Sequence, residues 1–512
     1  MDSGQFSADQ QKQFDFSGPS FTLGTGIFDG KPISGATVKV PLKTLNRHGL
    51  VAGATGTGKT KTVQVLAEGL SKAGVPVLLM DLKGDLSGLA AQGTENTHIT
   101  HRQTLIGEPY APQPFPVELL TLTSEDHGVP LRATVTEFGP ILLGKTLELN
   151  ATQQGVLAVL FKYFDDHGLP LIDLKDLKKG LQYLSNEGKK EFEEHYGRIS
   201  SASVGAIQRK IIALEQQGAN EFFGEPSFEV DDLMRVDQKG EAFISVVRLT
   251  EIQDKPALFS SFMLSLLVEL YDNLPEQGDS EKPKLTIFID EAHLMFREAS
   301  KALIDQLEIV VKLIRSKGVG VFFCTQVPSD VPDQILGQLG LRIQHAMRAV
   351  TAKDRKAIRL VAQNFPDSPY YDLETMLTTL GIGEALFTCL NEKGIPTASV
   401  ATYLNAPKSR MGTLTTQELD QLVETSEIYG QYKDPVDRES AYEMLIKKID
   451  GAEESEESPK TEAPKDQSAR PKKEKSMMET LSNNTFVRQL GRTVVREISR
   501  GLLGALGLRN RR

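Results

Sequence analysis

The stretch VAGATGTGKTKTV, Val51 to Val63, sets three glycines, two lysines and four threonines between apolar flanks. Residues 53–60 fit the pattern G-x-x-x-x-G-K-[ST]. Glycines let backbone N–H groups turn inward toward phosphate oxygens, the lysine brings positive charge to the β and γ phosphates, and the hydroxyl can ligand Mg²⁺. The pattern predicts a nucleotide-binding loop, with Thr60 also a metal ligand, that consists of Gly53, Ala54, Thr55, Gly56, Thr57, Gly58, Lys59 and Thr60.

The segments around this loop have the order that a phosphate loop requires. HGLVAGAT predicts a strand that runs into the loop, and KTKTVQVLAEGLSKAG predicts a helix ending at Gly74, whose positive N-terminal end would point at the same anion. Apolar runs in VPVLLMDLKGDL, EAFISVVRL, KLTIFIDEAH and GVGVFFCTQVPSD predict further strands, typical of a parallel sheet covered on both faces. Strands alternating with helices predict an α/β fold with a doubly wound sheet.

Composition and turn signals divide the chain into seven segments. The chain begins with a segment rich in turn-forming residues, and a polar segment with a helical pattern interrupts the α/β core. A charged segment almost free of apolar residues follows the core. The predicted boundaries are 1–48 for a small N-terminal β element, 49–124 and 238–405 for the two parts of the core, 125–237 for a largely helical insertion, 406–450 for a helical extension, 451–480 for a disordered linker and 481–512 for a basic amphipathic helix.

Two carboxylates follow the apolar run LTIFI, where a buried strand should emerge from the sheet. We expect Asp290 to complete the Mg²⁺ shell and Glu291 to polarise the attacking water. A strand followed by an acidic helix cap is the simpler alternative, but the upstream loop favours the catalytic interpretation. His293 is expected to pack or hydrogen-bond rather than to exchange protons.

Polar residues also end two other predicted strands. Thr325 and Gln326 close the run GVGVFFC, and an amide beside the γ-phosphate can contact phosphate or water and report hydrolysis. Asp81 and Lys83 end the run VLLM at a position where open α/β sheets bind ligands. For this second pair, support of the active site and an ordinary exit from a strand stay equally open.

Together these elements predict a P-loop ATPase with a RecA-like core. ATPases of this branch often form rings in which an arginine of one subunit completes the site of its neighbour. Arginine suits that task because its planar fork matches phosphate oxygens and never deprotonates. The candidates are Arg315, just before the Gln-bearing strand, Arg342 and Arg355.

Net charge, cysteine usage and hydropathy indicate which environment and which partners the chain suits. The chain has 512 residues and a formal net charge of −10, so no global field draws it to DNA or anionic membranes, and polyanion binding needs local patches. Its cysteines, Cys324 and Cys389, lie in apolar runs and predict buried thiols in a reducing compartment. The polar N-terminus has no apolar signal core and no run is long enough to span a bilayer, so we expect a cytoplasmic protein.

The terminal segment has two opposed stripes at helical spacing. One is basic, and the other is apolar and lies two residues out of phase: Arg488, Arg492, Arg496 and Arg500 against Leu490, Val494, Ile498, Leu502 and Leu506. Docking on another subunit, contact with a nucleic acid backbone and contact with an anionic membrane surface all fit this pattern.

Several motifs of the chain resemble the HerA-like P-loop ATPases of the HerA/FtsK superfamily. They include DLKGDLSGLA, ELNATQQGVLAVLFK, GAIQRKIIALEQQG, IFIDEAHLMF, ILGQLGLRIQHAMRA and GIGEAL, and the resemblance covers about residues 15–450 and the basic terminus. It implies a hexameric, Mg²⁺-dependent ATPase that pumps or unwinds double-stranded DNA, beside which a nuclease partner is common. Carried over by position, it implies a phosphate and metal role for Lys59 and Thr60, a Walker B pair of Asp290 and Glu291, Gln326 as sensor and Arg315 as the arginine finger.

The expected activity is therefore ATP hydrolysis that drives a DNA translocase or helicase. The alternative is an ATP-gated switch or assembly protein that acts on a protein partner without moving DNA. A third alternative, suggested by the basic terminus, is a membrane-associated motor.

Overall fold

The protein is described here by a computed structural model. Its described residues are 2–252, 255–278, 280–297 and 301–456. The chain divides into two units between Lys448 and Ile449. The sheet and the candidate site belong to the first unit, and of the second the structure describes residues 449–456. Among the described residues, no helix combines the length and the apolar character that crossing a bilayer requires.

The core is one mixed sheet of twelve strands. They are β1 (Ser20–Phe28), β2 (Lys31–Pro41), β3 (Gly49–Ala52), β4 (Val77–Asp81), β5 (Val117–Thr121), β6 (Val129–Pro130), β7 (Ile244–Arg248), β8 (Leu285–Ile289), β9 (Val319–Thr325), β10 (Leu341–His345), β11 (Glu384–Thr388) and β12 (Val400–Leu404). Their spatial order is β2-β1-β12-β11-β10-β3-β9-β8-β4-β7-β5-β6.

The strands from β10 to β6 in this order run parallel, and the others pair antiparallel. Every residue of β3, β4, β8 and β9 is buried, because these central strands are covered on both faces. The predicted α/β sheet is confirmed. All parallel strands end at one edge of the sheet, which we call the loop edge, and they begin at the opposite edge.

The helices are α1 (Ser3–Gln13), α2 (Lys59–Lys72), α3 (Thr97–Ile106), α4 (Val135–Thr146), α5 (Ala151–Asp166), α6 (Leu174–Ser185), α7 (Lys189–Tyr196), α8 (Ser201–Glu215), α9 (Ala219–Phe222), α10 (Pro256–Asn273), α11 (His293–Arg297), α12 (Lys301–Ile314), α13 (Asp333–Leu336), α14 (Ala352–Gln363), α15 (Leu373–Thr379), α16 (Thr416–Glu424), α17 (Tyr429–Tyr432) and α18 (Ala441–Glu456). Six of them, α4 to α9, lie within the predicted insertion. Phe222 of α9 packs edge-on against Phe262 of α10, with ring centroids 5.9 Å apart, and so ties the insertion to the core.

The N-terminal segment differs from the predicted β element in two ways. It starts with helix α1, whose polar sequence carries too few apolar residues to show a helical period, although Phe6 is fully buried. In addition, β1 pairs with β12, with Gly24 opposite Leu404, so the segment extends the central sheet. Local sequence patterns cannot predict pairing between strands that lie so far apart in the chain.

The C-terminal part returns along the sheet and then leaves it. After β12, the strap 405–414 crosses α2 on its way to α16. Helix α18 continues to Glu456, past the predicted start of the linker at 451. The rest of the predicted linker and the basic helix at 481–512 lie outside the described residues, and the other segment boundaries stay predictions.

Candidate nucleotide site

The glycine loop connects β3 to α2 at the loop edge. Its glycines have φ angles of +154° at Gly53, +81° at Gly56 and +109° at Gly58, which side-chain-bearing residues rarely adopt. A Cβ on Gly53 would also lie 2.4 Å from the Cβ of His345. The backbone conformation thus requires the glycines of the motif, and it leaves N–H groups near the start of α2 free to face an anion.

The ammonium group of Lys59 lies across the loop. Its Nζ donates to the carbonyl oxygens of Gly53 at 2.6 Å and Ala54 at 3.3 Å. Partial burial lowers the pKa of Lys59, against the raising effect of the Glu291 charge. Thr60 follows as the second residue of α2 and is half-buried. Both side chains therefore lie where phosphate and metal would have to be held.

The two predicted carboxylates follow β8 directly. Strand β9 lies between β3 and β8, so Asp290 and Glu291 share the loop edge with Lys59. Burial, and then the charge of Glu291, raise the pKa of Asp290 to about 7. Glu291 is buried and has a φ of +45°, an unusual angle for a residue with a side chain. Its Oε2 accepts no hydrogen bond from the described residues, although His293 Nδ1 is 3.3 Å away.

Lys83 contacts the same glutamate from the turn that follows β4. Its Nζ donates to Glu291 Oε1, and 45% of its side chain stays exposed. Burial opposes the charged form, but the hydrogen bond and charge of Glu291 raise the pKa of Lys83 above its usual value. Asp81 instead accepts backbone hydrogen bonds from Gly84 at 2.8 Å and Leu86 at 3.0 Å, so it shapes the turn that presents Lys83.

The predicted sensor lies beside the loop. The carbonyl oxygen of Thr325, the last residue of β9, accepts from the N–H of Gly53 at 3.2 Å. The Thr325 hydroxyl donates to Asp330 at 2.5 Å, which fixes the turn that follows. Gln326, between them in the chain, is exposed at the loop edge. The structure brings together the loop, the carboxylates and the amide, while their chemical roles stay predictions.

These residues fit a nucleotide with Mg²⁺. Within the part of the chain that the structure describes, no three His, Cys, Asp or Glu side chains converge on one metal position. Mg²⁺ is ordinarily held by one or two protein oxygens together with substrate phosphates and water, which matches Thr60 and Asp290. The buried Oε2 of Glu291 accepts no hydrogen bond from the described residues, so it has room to accept one from a water molecule.

The arginine candidates lie in three different settings. Arg315 follows α12 at the edge opposite the loop, and Arg342, at the start of β10, donates to the carbonyl oxygens of Leu336, Leu339 and Asn364. These bonds fix Arg342 within its own subunit. Arg355 is exposed on α14, which starts from the loop edge.

Sequence reasoning missed Arg47. It lines a cavity of about 410 Å³ with Arg315, and its charge contributes, after burial, to lowering the pKa of Arg315. No described carboxylate forms an ion pair with either arginine. The two acids of the cavity have other partners, since Glu276 pairs with Lys317 and Glu392 accepts from Ser17 and Gly18. An arginine just before a predicted strand carries no sequence signal of this proximity.

A second cavity, of about 720 Å³, is not part of this constellation. It lies between β6, the insertion and the segment 429–443, and none of the predicted site residues lines it. Arg438, one of its cations, is paired with Glu225 at 2.6 Å. The candidate site is therefore identified by the side chains at the loop edge and not by the volume of a cavity.

Solved structures share this fold. The bacterial conjugative coupling protein TrwB has a TM-score of 0.50 at 13% identity, with 81% of this chain and 95% of that chain covered. TrwB in complex with a non-hydrolysable ATP analogue has a TM-score of 0.50 at 15% identity, covering 78% of this chain and 99% of that one. At these identities the likeness shows the fold, a RecA-like α/β core, and confirms that prediction.

Sequence comparison identifies the family. Residues 29–512 match the family described as helicase HerA-like, C-terminal. The DNA double-strand break repair helicase HerA of Sulfolobus acidocaldarius is 22% identical over 375 residues, which are 69% of this chain and 64% of that protein. The protein of the same name from Sulfurisphaera tokodaii is 24% identical over 379 residues, 72% and 67% of the two chains. The chain thus spans less than two thirds of the first relative, and it belongs to the HerA-like family of P-loop ATPases.

Proposed function

We propose that the protein is a Mg²⁺-dependent ATPase that assembles into a ring and translocates on double-stranded DNA. The observation that carries the hydrolytic part is the convergence of Lys59, Glu291 and Gln326 at one edge of the sheet. They follow strands β3, β8 and β9, which are neighbours in the sheet although β3 lies far from β8 and β9 in the chain.

The chemistry follows from the positions of the side chains. Glu291 accepts a hydrogen bond from the attacking water and orients it toward the γ-phosphate. Lys59 and the N–H groups of the loop stabilise the charge that spreads over the phosphate oxygens. Thr60 and Asp290 would hold Mg²⁺, which when bound neutralises charge on the β and γ phosphates. Gln326 contacts the phosphate or the water and links hydrolysis to the segment after β9.

A ring is supported by the place of the arginines. Arg315 and Arg47 lie at the edge opposite the loop, so neither reaches the phosphate loop of its own subunit. A neighbouring subunit whose loop edge faces this cavity would receive both guanidinium groups. Neither arginine forms an ion pair with an acid among the described residues, which suits guanidinium groups that bind the phosphates of a neighbouring subunit's nucleotide. This arrangement favours a homo-oligomer, and a hexamer is the form implied by the family.

The DNA substrate is supported by the relatives and not by net charge. Two relatives carry the name of a DNA repair helicase. A net charge of −10 is compatible with a ring whose outside is acidic and whose pore is basic. A cytoplasmic location, a nuclease partner and a membrane contact through the terminal helix also belong to the proposal.

A switch protein that acts on a protein partner is the second candidate. The contact between Lys83 and Glu291 favours this candidate. An ATPase whose catalytic base is held by an ammonium group hydrolyses ATP slowly unless something releases that base. Such a protein would need no DNA.

Steady-state ATP hydrolysis with and without double-stranded DNA separates the two functions. A translocase is expected to turn over several-fold faster with DNA, and this stimulation should weaken with rising salt because phosphate contacts release counterions. Hydrolysis that is abolished by Lys59→Ala but indifferent to DNA would support the switch and overturn the translocase.

A further inference from the structure

The two flanks of the phosphate loop differ in chemistry. Strands β9 and β8, with Gln326, Asp290 and Glu291 at their ends, lie on one side of β3. Strands β10 and β11 lie on the other side. A nucleoside triphosphate carries its γ-phosphate at one end and its nucleoside at the other. If Glu291 faces the γ-phosphate, the nucleoside leaves the loop on the flank of β10 and β11.

Two connections on that flank contact the loop directly. The carbonyl oxygen of Ala346, just after β10, accepts from the N–H of Ala54 at 3.1 Å. The N–H of Gly383, just before β11, donates to the carbonyl oxygen of Thr57 at 3.1 Å. The segments 346–350 and 380–383 therefore form a rim beside the phosphate loop. Arg348 of this rim is exposed and donates to the carbonyl oxygen of Thr55 at 3.4 Å.

The rim presents an apolar side chain to solvent. Ile382 is 76% exposed. It stands between Gly381 and Gly383, and the hydrogen bond of Gly383 keeps it next to the phosphate loop. A scattered exposed isoleucine needs no explanation, but this one lies beside the predicted phosphate site.

The backbone under Ile382 is held in place from below. Arg102 donates to the carbonyl oxygens of Ile382 at 3.1 Å, Gly383 at 3.0 Å and Leu404 at 2.9 Å. Its guanidinium also stacks on the ring of Tyr403, 3.8 Å from the centroid. A rigid backbone with an exposed apolar side chain is a preformed surface, so a ligand that packs there loses little entropy in ordering it.

We propose that Ile382 and Arg348 form the nucleoside subsite of this protein, with Ile382 packing against the flat apolar face of a purine base. The proposal rests on the proposed nucleotide site and adds the residues that distinguish a nucleotide from a bare triphosphate. The guanidinium of Arg348, at the boundary between loop and rim, contacts the ligand where the phosphates join the nucleoside. An apolar contact of this kind favours a purine over the smaller pyrimidine ring and discriminates weakly between adenine and guanine.

Calorimetric titration of the full chain tests the subsite without requiring turnover. The probes are a non-hydrolysable ATP analogue and inorganic tripolyphosphate, both with Mg²⁺. We expect Ile382→Ala to weaken binding of the ATP analogue about three- to tenfold, because the apolar surface that the base would cover is reduced. Ile382→Asp should weaken binding further. Binding of tripolyphosphate should not change. The matched control is Ile395→Ala, at an isoleucine that is 56% exposed in the turn between β11 and β12 at the opposite edge.

Each other outcome overturns a specific part. If both Ile382 variants bind the ATP analogue like the wild type, while Lys59→Ala abolishes its binding, the subsite is wrong and the nucleotide site stands. If tripolyphosphate binding weakens equally, Ile382 supports the loop and does not contact the base. If Lys59→Ala leaves binding of both probes unchanged, the proposed nucleotide site is wrong and the subsite falls with it.

Discussion

At the scale of single residues, the contact between Lys83 and Glu291 is the feature that ties two distant parts of the chain into one site. The two residues are 208 positions apart in the sequence. Because Glu291 is buried, its charge needs a partner, and Lys83 supplies one while keeping 45% of its own side chain exposed. The lysine thereby restrains the carboxylate that is expected to orient water.

If Lys83 positions the base, as the translocase account requires, Lys83→Met lowers kcat for ATP hydrolysis roughly ten- to a hundredfold, because a misplaced base costs rate without removing the phosphate contacts. The switch account, in which Lys83 holds the base back, predicts a higher kcat for the same variant. The KM for ATP should change little. Lys83→Arg keeps the charge with another geometry, so its kcat should lie between those of the wild type and Lys83→Met. Lys31→Met, on the outermost strand β2, is the control and should match the wild type. A kcat for Lys83→Met equal to that of the wild type would contradict a positioning role.

Much of the candidate site can be predicted from single residues in their motifs. Lys59 and Thr60 belong to the glycine pattern, and Asp290 and Gln326 come just after largely apolar runs, so local patterns locate all four. The partner of Lys83 and the proximity of Arg47 to Arg315 depend on how distant strands are ordered in the sheet. No local pattern encodes that order, which is why sequence left the role of Lys83 open and missed Arg47.

At the scale of elements, the strap 405–414 is fastened to helix α2 by one buried carboxylate. Glu68 accepts from the N–H groups of Lys408 at 2.8 Å and Ser409 at 3.0 Å and from the Ser409 hydroxyl at 2.6 Å. Gln64, one turn earlier, donates to the Ser409 hydroxyl at 2.9 Å. Burial raises the pKa of Glu68, and these hydrogen bonds oppose the rise.

We expect Glu68→Ala to lower the free energy of unfolding by about 2–4 kcal/mol, because it leaves three donors without an acceptor in a buried setting. Glu68→Gln keeps one acceptor oxygen and should cost less. Chemical denaturation measures both, and Glu424→Ala, at an exposed position of α16, serves as control. A loss for Glu68→Ala no larger than that of the control would show that the strap is held by other contacts.

Elements were predicted best where their apolar pattern is local and continuous. Strands β3, β4, β8 and β9 are mostly apolar in sequence and wholly buried, and helix α5 begins at a capping box that Asn150 and Gln153 complete. Helix α1 was not predicted, because it is polar and buries only Phe6 and Gln10 within its length, too few apolar side chains to show a helical period. The attachment of β1 to β12 joins the two ends of the core and has no local signature.

At the scale of the whole molecule, the proposed action in trans rests on the separation of the phosphate loop from Arg47 and Arg315, which lie at the opposite edge of the sheet. We predict that Arg315→Ala and Lys59→Ala are each inactive but that their mixture recovers hydrolysis. Mixed rings contain interfaces at which an intact Lys59 meets an intact Arg315. The control mixture is Lys59→Ala with Glu291→Gln, which should stay inactive because both residues belong to the site of one subunit. A mixture of Arg315→Ala and Lys59→Ala that forms rings yet stays inactive would contradict action in trans.

The central claim is that the residues at the loop edge hydrolyse ATP, and parallel measurements of binding and hydrolysis on Glu291→Gln test it most directly. The amide keeps the size of the side chain but cannot take part as a base. We predict that the variant binds ATP with Mg²⁺ as tightly as the wild type and hydrolyses it about a hundredfold or more slowly. Hydrolysis by Glu291→Gln at the rate of the wild type would contradict the account.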